Sequence, residues 1–409
     1  MKQSIRSFEH IFAVISLILY SQGFFPIIIG GNSFQSKGDV DSFVLRVAFL
    51  FIYAMTIALL AFRRQRTLAF LGTNTWVLFL FAIATISITW SSIPHVAFRK
   101  VIALIGSSLF GLYLGSRYSF KEQLKIYGWV YGISVTCSLI FALLLPKYGI
   151  MNTVAIQGAW RGIYPHKNGL GQSMFASFLT FYFLLNVERE KRLLFGTFCF
   201  LSVVLIYFGE SATSLMSVLF IFAIAQGLKR LSLKSKKSIL AILLFIILVC
   251  ILLFLFVANF NAFLTANDKD ITLSGRTILW ASLWDFIQER LWLGYGFGSF
   301  FSGESREAYL LWQVHDWSPV HSHNGYVNLW VNLGLISLAV FSIGYFGCLF
   351  NSLYKYLISK DMRMLWIFLF LIYTVFFNFT EVSFMSTNSN IWIMSLACIY
   401  SLKITSRTK

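Results

Sequence analysis

Apolar runs of about 20 residues recur twelve times along this chain, near 9–30, 43–62, 68–90, 100–116, 124–145, 169–187, 192–209, 213–228, 237–258, 326–350, 363–380 and 388–403. A helix of that length matches the roughly 30 Å hydrocarbon core of a bilayer. No water is available there, so each segment must satisfy its backbone internally, as a helix does. The runs therefore predict an all-α integral membrane protein with about 12 transmembrane helices. Composition agrees: 58% of residues are hydrophobic and only 12% are charged, against about 25% charged in a soluble domain. This excludes a soluble enzyme, a disordered chain and a disulfide scaffold. The first run lacks a small-residue cleavage site and reads as an anchor, not a removable signal. The five cysteines each sit inside an apolar run with no CxxC spacing, which marks them as packing residues.

The net charge of +17 would elsewhere point to nucleic acid. Here its placement gives orientation. With both termini inside, the short inner segments hold 22 of the 33 Lys and Arg, as the positive-inside rule requires. Both termini are expected in the cytoplasm, in a bacterial-type inner membrane, and no nucleic-acid partner is expected. Eleven of the 16 acidic residues and five of the six histidines fall on the other, periplasmic side. Polar chemistry is thus concentrated on one face. The inner loops contain no Walker motif, so no nucleotide is expected to be consumed.

The organisation predicted is helices 1–9 over 1–258, a periplasmic helical insertion over 259–325, and helices 10–12 over 326–409. Within the insertion, 277–290 reads as an amphipathic helix behind Ser274 as N-cap, and 303–312 as a shorter one.

Several clusters on that face could carry chemistry. Arg161, His166, Lys167 and Asn168 crowd into eight residues, and an arginine can fork two hydrogen bonds onto a phosphate. Arg276 opens the amphipathic helix, where its charge opposes the helix dipole and invites an anion or a carboxylate such as Asp285. The glycines of Leu293, Gly294, Tyr295, Gly296 lack the strand–helix context of a dinucleotide fingerprint. They suit a turn that brings backbone close to a ligand or another helix. His321, His323, Asn324 and Gly325 mark the re-entry into the membrane. A metal there would need more ligands, such as His315 or Asp316, and no metal or other cofactor is expected. Glu381, in Asn378, Phe379, Thr380, Glu381, needs a partner at that depth, with Arg161 and Arg276 as candidates.

Taken in order, Trp90-Ser91-Ser92 with Pro94, Trp160-Arg161-Gly162 with His166-Lys167-Asn168, Ser274-Gly275-Arg276, Leu293-Gly294-Tyr295-Gly296 and His323-Asn324-Gly325 resemble the O-antigen ligase / O-antigen polymerase superfamily. The closing Asn378–Glu381 stretch looks like its exopolysaccharide-polymerase branch. The resemblance implies an inverting, metal-independent membrane glycosyltransferase with an undecaprenyl-diphosphate-linked glycan as donor. The acceptor would be a growing glycan in a polymerase or lipid A–core in a ligase, and a chain-length regulator is a further implied partner. By similarity Arg161 and Arg276 bind the donor diphosphate, with His166, Lys167, Asn168 and Asn324 lining the site. His323 would sit at the reacting centre and is the expected catalytic base, with Glu381 as the competing assignment. A lipid-linked glycan flippase is the alternative from another class. Against it, polar residues within the spans are few and do not gather at the midplane, where transporters bind.

Overall fold

A computed structural model describes residues 2–25, 42–153, 156–231, 276–315 and 317–403. The run 237–258, the N-cap Ser274 and the first part of the insertion lie outside the described residues. The helices are α1 (Lys2–Tyr20), α2 (Phe43–Phe62), α3 (Arg64–Leu71), α4 (Thr75–Ile86), α5 (Pro94–Arg117), α6 (Phe120–Leu144), α7 (Lys167–Val187), α8 (Arg192–Phe208), α9 (Ala212–Arg230), α10 (Arg276–Glu289), α11 (Arg306–Gln313), α12 (Gly325–Ser359), α13 (Met362–Phe377) and α14 (Asn390–Ser401). Among the described residues seven helices are long and apolar enough to cross a membrane: α2, α5, α6, α7, α8 with its leading 3-10 turn, α9 and α12. The chain is a multi-pass membrane protein.

Three of the twelve expected runs take a bent or shorter form. The run 68–90 belongs to a broken pair, in which α3 stands at 88° to α4 and its following 3-10 turn. Gly72, Thr73 and Asn74 interrupt the helix there, and Thr73 Oγ1 donates to Phe70 O at 2.6 Å, closing the end of α3. The runs 363–380 and 388–403 become α13 and α14, of 16 and 12 residues. At 1.5 Å per residue α14 is about 18 Å long, too short to cross a membrane alone. It needs no lipid match, because all its residues are buried inside the bundle. Finally, the chain is not purely helical. Ile150–Thr153 (β1) pairs antiparallel with Ile156–Trp160 (β2), and this hairpin delivers Arg161 to the start of α7.

The core is a wall of helices around α14. Gly111 and Gly115 of α5 lie flat on it. A Cβ at either would meet the Ile393 or Ala397 carbonyl within 2.8 Å. Small residues four apart allow this close backbone approach. At one end of the bundle Glu9 of α1 is fully buried, and Arg63 and Arg117 converge on its two oxygens, with Arg117 Nε at 2.6 Å. A buried carboxylate needs such partners, and the triad ties α1, α2 and α5 together.

At the other end α12 is broken at Gly334, whose φ of +74° and ψ of 179° suit glycine alone. The glycine turn after α10 heals the break. Tyr295 N donates to Val331 O and Gly296 N to Asn332 O, both at 2.9 Å, while Leu335 N returns a bond to Leu291 O. Gly298 N donates to the Asn332 side chain at 2.8 Å. The turn thus serves a backbone-to-helix approach, one of the two uses expected of it.

Candidate active site

Five elements meet at this second end: the hairpin, the start of α7, the start of α10, the start of α12 and the loop after α13. Each places one polar group by a local device. His166 caps α7, its Nδ1 accepting from Asn168 N at 3.2 Å. Asn324 caps α12, its side-chain oxygen accepting from Tyr326 N and Val327 N at 3.0 and 3.1 Å. Asn378 shapes the loop that carries Glu381. Its oxygen accepts from Ser383 N and Phe384 N, and its amide nitrogen donates to Thr374 O and Ser383 Oγ. The Asn378 carbonyl also receives Gly325 N at 2.7 Å, binding this loop to α12.

Glu381 is the centre of the site. Its Oε1 accepts from Asn168 Nδ2 at 2.7 Å and from Arg276 Nη2 at 2.9 Å. Arg276 Nη1 donates to the neighbouring Thr380 carbonyl. Oε2 faces His323 Nδ1 at 3.7 Å, too long for a direct hydrogen bond. Burial pushes the Glu381 carboxyl up, but His323 and Arg276 pull it further down, to about 2. The group is therefore a fixed anion at neutral pH. His323 has a left-handed backbone, φ +51°, and its N–H donates to His321 Nδ1 at 3.2 Å. The two imidazoles lie 4.1 Å apart, with Trp317 5.6 Å from His323 on another side. Burial, then His323, lowers His321 to about 3, so it stays neutral.

The remaining residues expected in the site stand at its margin. Arg161 is only 1% exposed. Its Nε donates to Tyr148 O at 2.8 Å, and its buried Nη1 has no partner among the described residues. Glu381 thus takes Arg276, not Arg161, and Arg276 takes Glu381, not Asp285. Lys167 is 3.5 Å from Glu210. The Asn324 oxygen serves the α12 cap, while its amide nitrogen lies 3.5 Å from Phe379 O on the exposed side. Burial also lowers His166, keeping its ring neutral as the acceptor its cap requires.

His321, His323 and Glu381 could each offer one ligand atom, all within 4.8 Å of one another. The set does not suit a dication well. Arg276 holds positive charge against the shared carboxylate, and His321 Nδ1 already accepts a backbone hydrogen bond.

Residues 197–342 match the family model described as O-antigen ligase. That interval runs from α8 to the middle of α12 and contains Arg276 and His323. The chain is also 24% identical over 338 residues to the exopolysaccharide production protein ExoQ of Rhizobium meliloti (strain 1021), covering 77% of this chain and 73% of that protein. By both comparisons it is similar to O-antigen ligase and exopolysaccharide-production proteins. Two contributors were not among the expected site residues. Asn378 is the keystone of the Glu381 loop, and Trp280 Nε1 donates to Ser322 O at 2.7 Å, tying α10 to the histidine segment. The one available signal was the placing of Asn378 three residues before Glu381.

Proposed function

We propose that this protein is an inverting glycosyltransferase of the inner membrane, with cytoplasmic termini and a periplasmic active face. Its donor is an undecaprenyl-diphosphate-linked glycan, and it polymerises exopolysaccharide repeat units. The observation that carries the reading is the convergence of Asn168, Arg276 and His323 on Glu381. The charge distribution supports the orientation, and the similarity to an exopolysaccharide production protein favours polymerisation over transfer to lipid A–core.

The acceptor hydroxyl attacks the anomeric carbon of the donor as the bond from that carbon to the diphosphate oxygen breaks. The electron pair leaves on the diphosphate, and the hydroxyl proton passes to Nε2 of His323. Glu381 does not take that proton, because so acidic a carboxyl is a poor base at neutral pH. It instead holds His323 with Nδ1 protonated, once the 3.7 Å gap closes around bound substrate. Arg276 uses two N–H groups on Glu381 and Thr380 and retains others for phosphate. Arg161 brings a buried, incompletely bonded guanidinium. Both neutralise the leaving diphosphate, and no metal is needed.

The test is reconstitution of purified protein with a defined lipid-linked repeat unit. A ladder of lengthening products supports the reading. A product formed only when lipid A–core is supplied would reassign the protein as a ligase. Movement of the donor across the membrane without transfer would make it a flippase.

A further inference from the structure

At the end of the bundle opposite the active site, a cleft of about 390 Å³ opens between the bent α3–α4 pair, α12 and the end of α14. We propose that it binds one anionic phospholipid, with the phosphate on Lys355 and Lys403 and an acyl chain lying along α12 toward Ile343. The proposal does not depend on the transferase reading.

Three observations lead there. The first is charge. Lys355 Nζ donates to Leu402 O at 3.2 Å, and Lys403 Nζ donates to Ala69 O. Each bond satisfies one ammonium donor of three, and neither lysine has a carboxylate partner among the described residues. The carbonyls belong to the ends of α14 and α3, so they hold the two ammonium groups at one rim of the cleft.

The second is depth. Ile343 and Lys355 both line the cleft and lie twelve residues apart on one helix, about 18 Å at 1.5 Å per residue. That is close to half of a hydrocarbon core about 30 Å thick. Ile343 is 76% exposed, so the apolar end opens sideways, where lipid stands.

The third is shape. Gly347 has nothing within 4 Å of where its Cβ would be, leaving a smooth floor, while Gly344 lies against the Trp76 ring. Turned 88° from α4, α3 carries Arg66, whose guanidinium lies over the same Phe70 ring that Lys403 Nζ faces. A cationic rim over an apolar trough one leaflet deep fits a lipid with a negative headgroup better than a free anion.

Native mass spectrometry of the delipidated full chain would test this with phosphatidylglycerol, phosphatidylethanolamine and inorganic phosphate as probes. Wild type is expected to retain phosphatidylglycerol in preference to phosphatidylethanolamine. The double variant K355Q/K403Q is expected to bind it about 10- to 30-fold more weakly, the loss expected for two lysines at a membrane surface. Gly347→Leu fills the trough, improves helix propensity and leaves both lysines in place, so it should also abolish retention while melting like wild type without lipid. Unchanged retention in either variant would overturn the proposal, as would equal retention of phosphatidylethanolamine. Displacement of the lipid by phosphate that still binds Gly347→Leu would reduce the cleft to a simple anion site and overturn it equally.

Discussion

Arg276 donates to Glu381 Oε1 at 2.9 Å across 105 residues of sequence. The pair fixes which carboxylate oxygen remains for His323, and so assigns the two candidate bases different tasks. His323→Ala should lower the turnover rate by about 10²–10⁴-fold, the usual span for a proton-transfer residue. Glu381→Gln should be the milder change, because Glu381 holds His323 and does not itself take the proton. Single-turnover rates with a defined donor would check this. A deeper defect in Glu381→Gln would move the base to Glu381.

Arg276→Ala should cut transfer by about 30- to several-thousand-fold, the loss of a charge-assisted contact to phosphate worth roughly 2–5 kcal/mol. Arg276→Lys should recover only part of it, since the fork that serves Thr380 and Glu381 together is gone. Arg161→Lys should be as damaging, because a lysine cannot hold the Tyr148 carbonyl through Nε and present a second nitrogen. Product formation compared with membrane-inserted protein level gives the measurement. Full activity in either lysine variant would make that arginine a structural tie.

Acidification should destabilise the folded protein through His321. Its folded pKa is about 3 against an ordinary 6.5, so below pH 6.5 the unfolded chain gains a proton that the folded one refuses. Stability from this group is complete above pH 6.5 and declines as pH falls toward 3. Glu381 adds a second loss in the same direction, from about 4.5 down to 2. In His321→Asn the amide oxygen can still accept from His323 N, and the melting temperature should fall less between pH 6.5 and 4.5. Parallel melting curves for the variant and wild type would dismiss the effect.

Gly325→Ala should disable a site it does not touch. A Cβ there would overlap the Asn378 amide oxygen, which holds the Glu381 loop. Overpacking of this kind costs about 1–3 kcal/mol, so both the melting temperature and activity should drop. Adding Asn378→Ala to Gly325→Ala should cost less than the sum of the two single losses, because they damage the same contact. Strict additivity would refute the coupling.

Hydropathy made the long helices legible, and the amphipathic pattern placed α10 and α11 within a few residues of where they stand. The chemistry-bearing residues were also visible, because cations, histidines and a carboxylate are rare in so apolar a chain. Their pairing was not. Nothing in the spacing says that Glu381 takes Arg276 and Asn168, or that Lys167 takes Glu210, since these contacts close over long stretches of chain. Asn324 reads as a ligand-binding amide, yet an asparagine before a helix is equally a cap, and the folded α12 shows its oxygen serving as one. The short α13 and α14 read as full spans because hydropathy cannot tell burial in protein from burial in lipid. The bend at Gly72–Asn74 was written in turn-forming residues, but the apolar run on its far side masked it.

The interruption at Gly334 gives α12 two mechanical addresses. A continuous rod of 35 residues would carry every tilt imposed by a thinner or thicker bilayer straight up to His323. Here the rod ends short. Its last few residues before the site are laced to the turn after α10 and to the Asn378 loop, so they keep the bearing of the head group of loops while the shaft below follows the membrane. His323 rides on the head, set off from the shaft by a single joint.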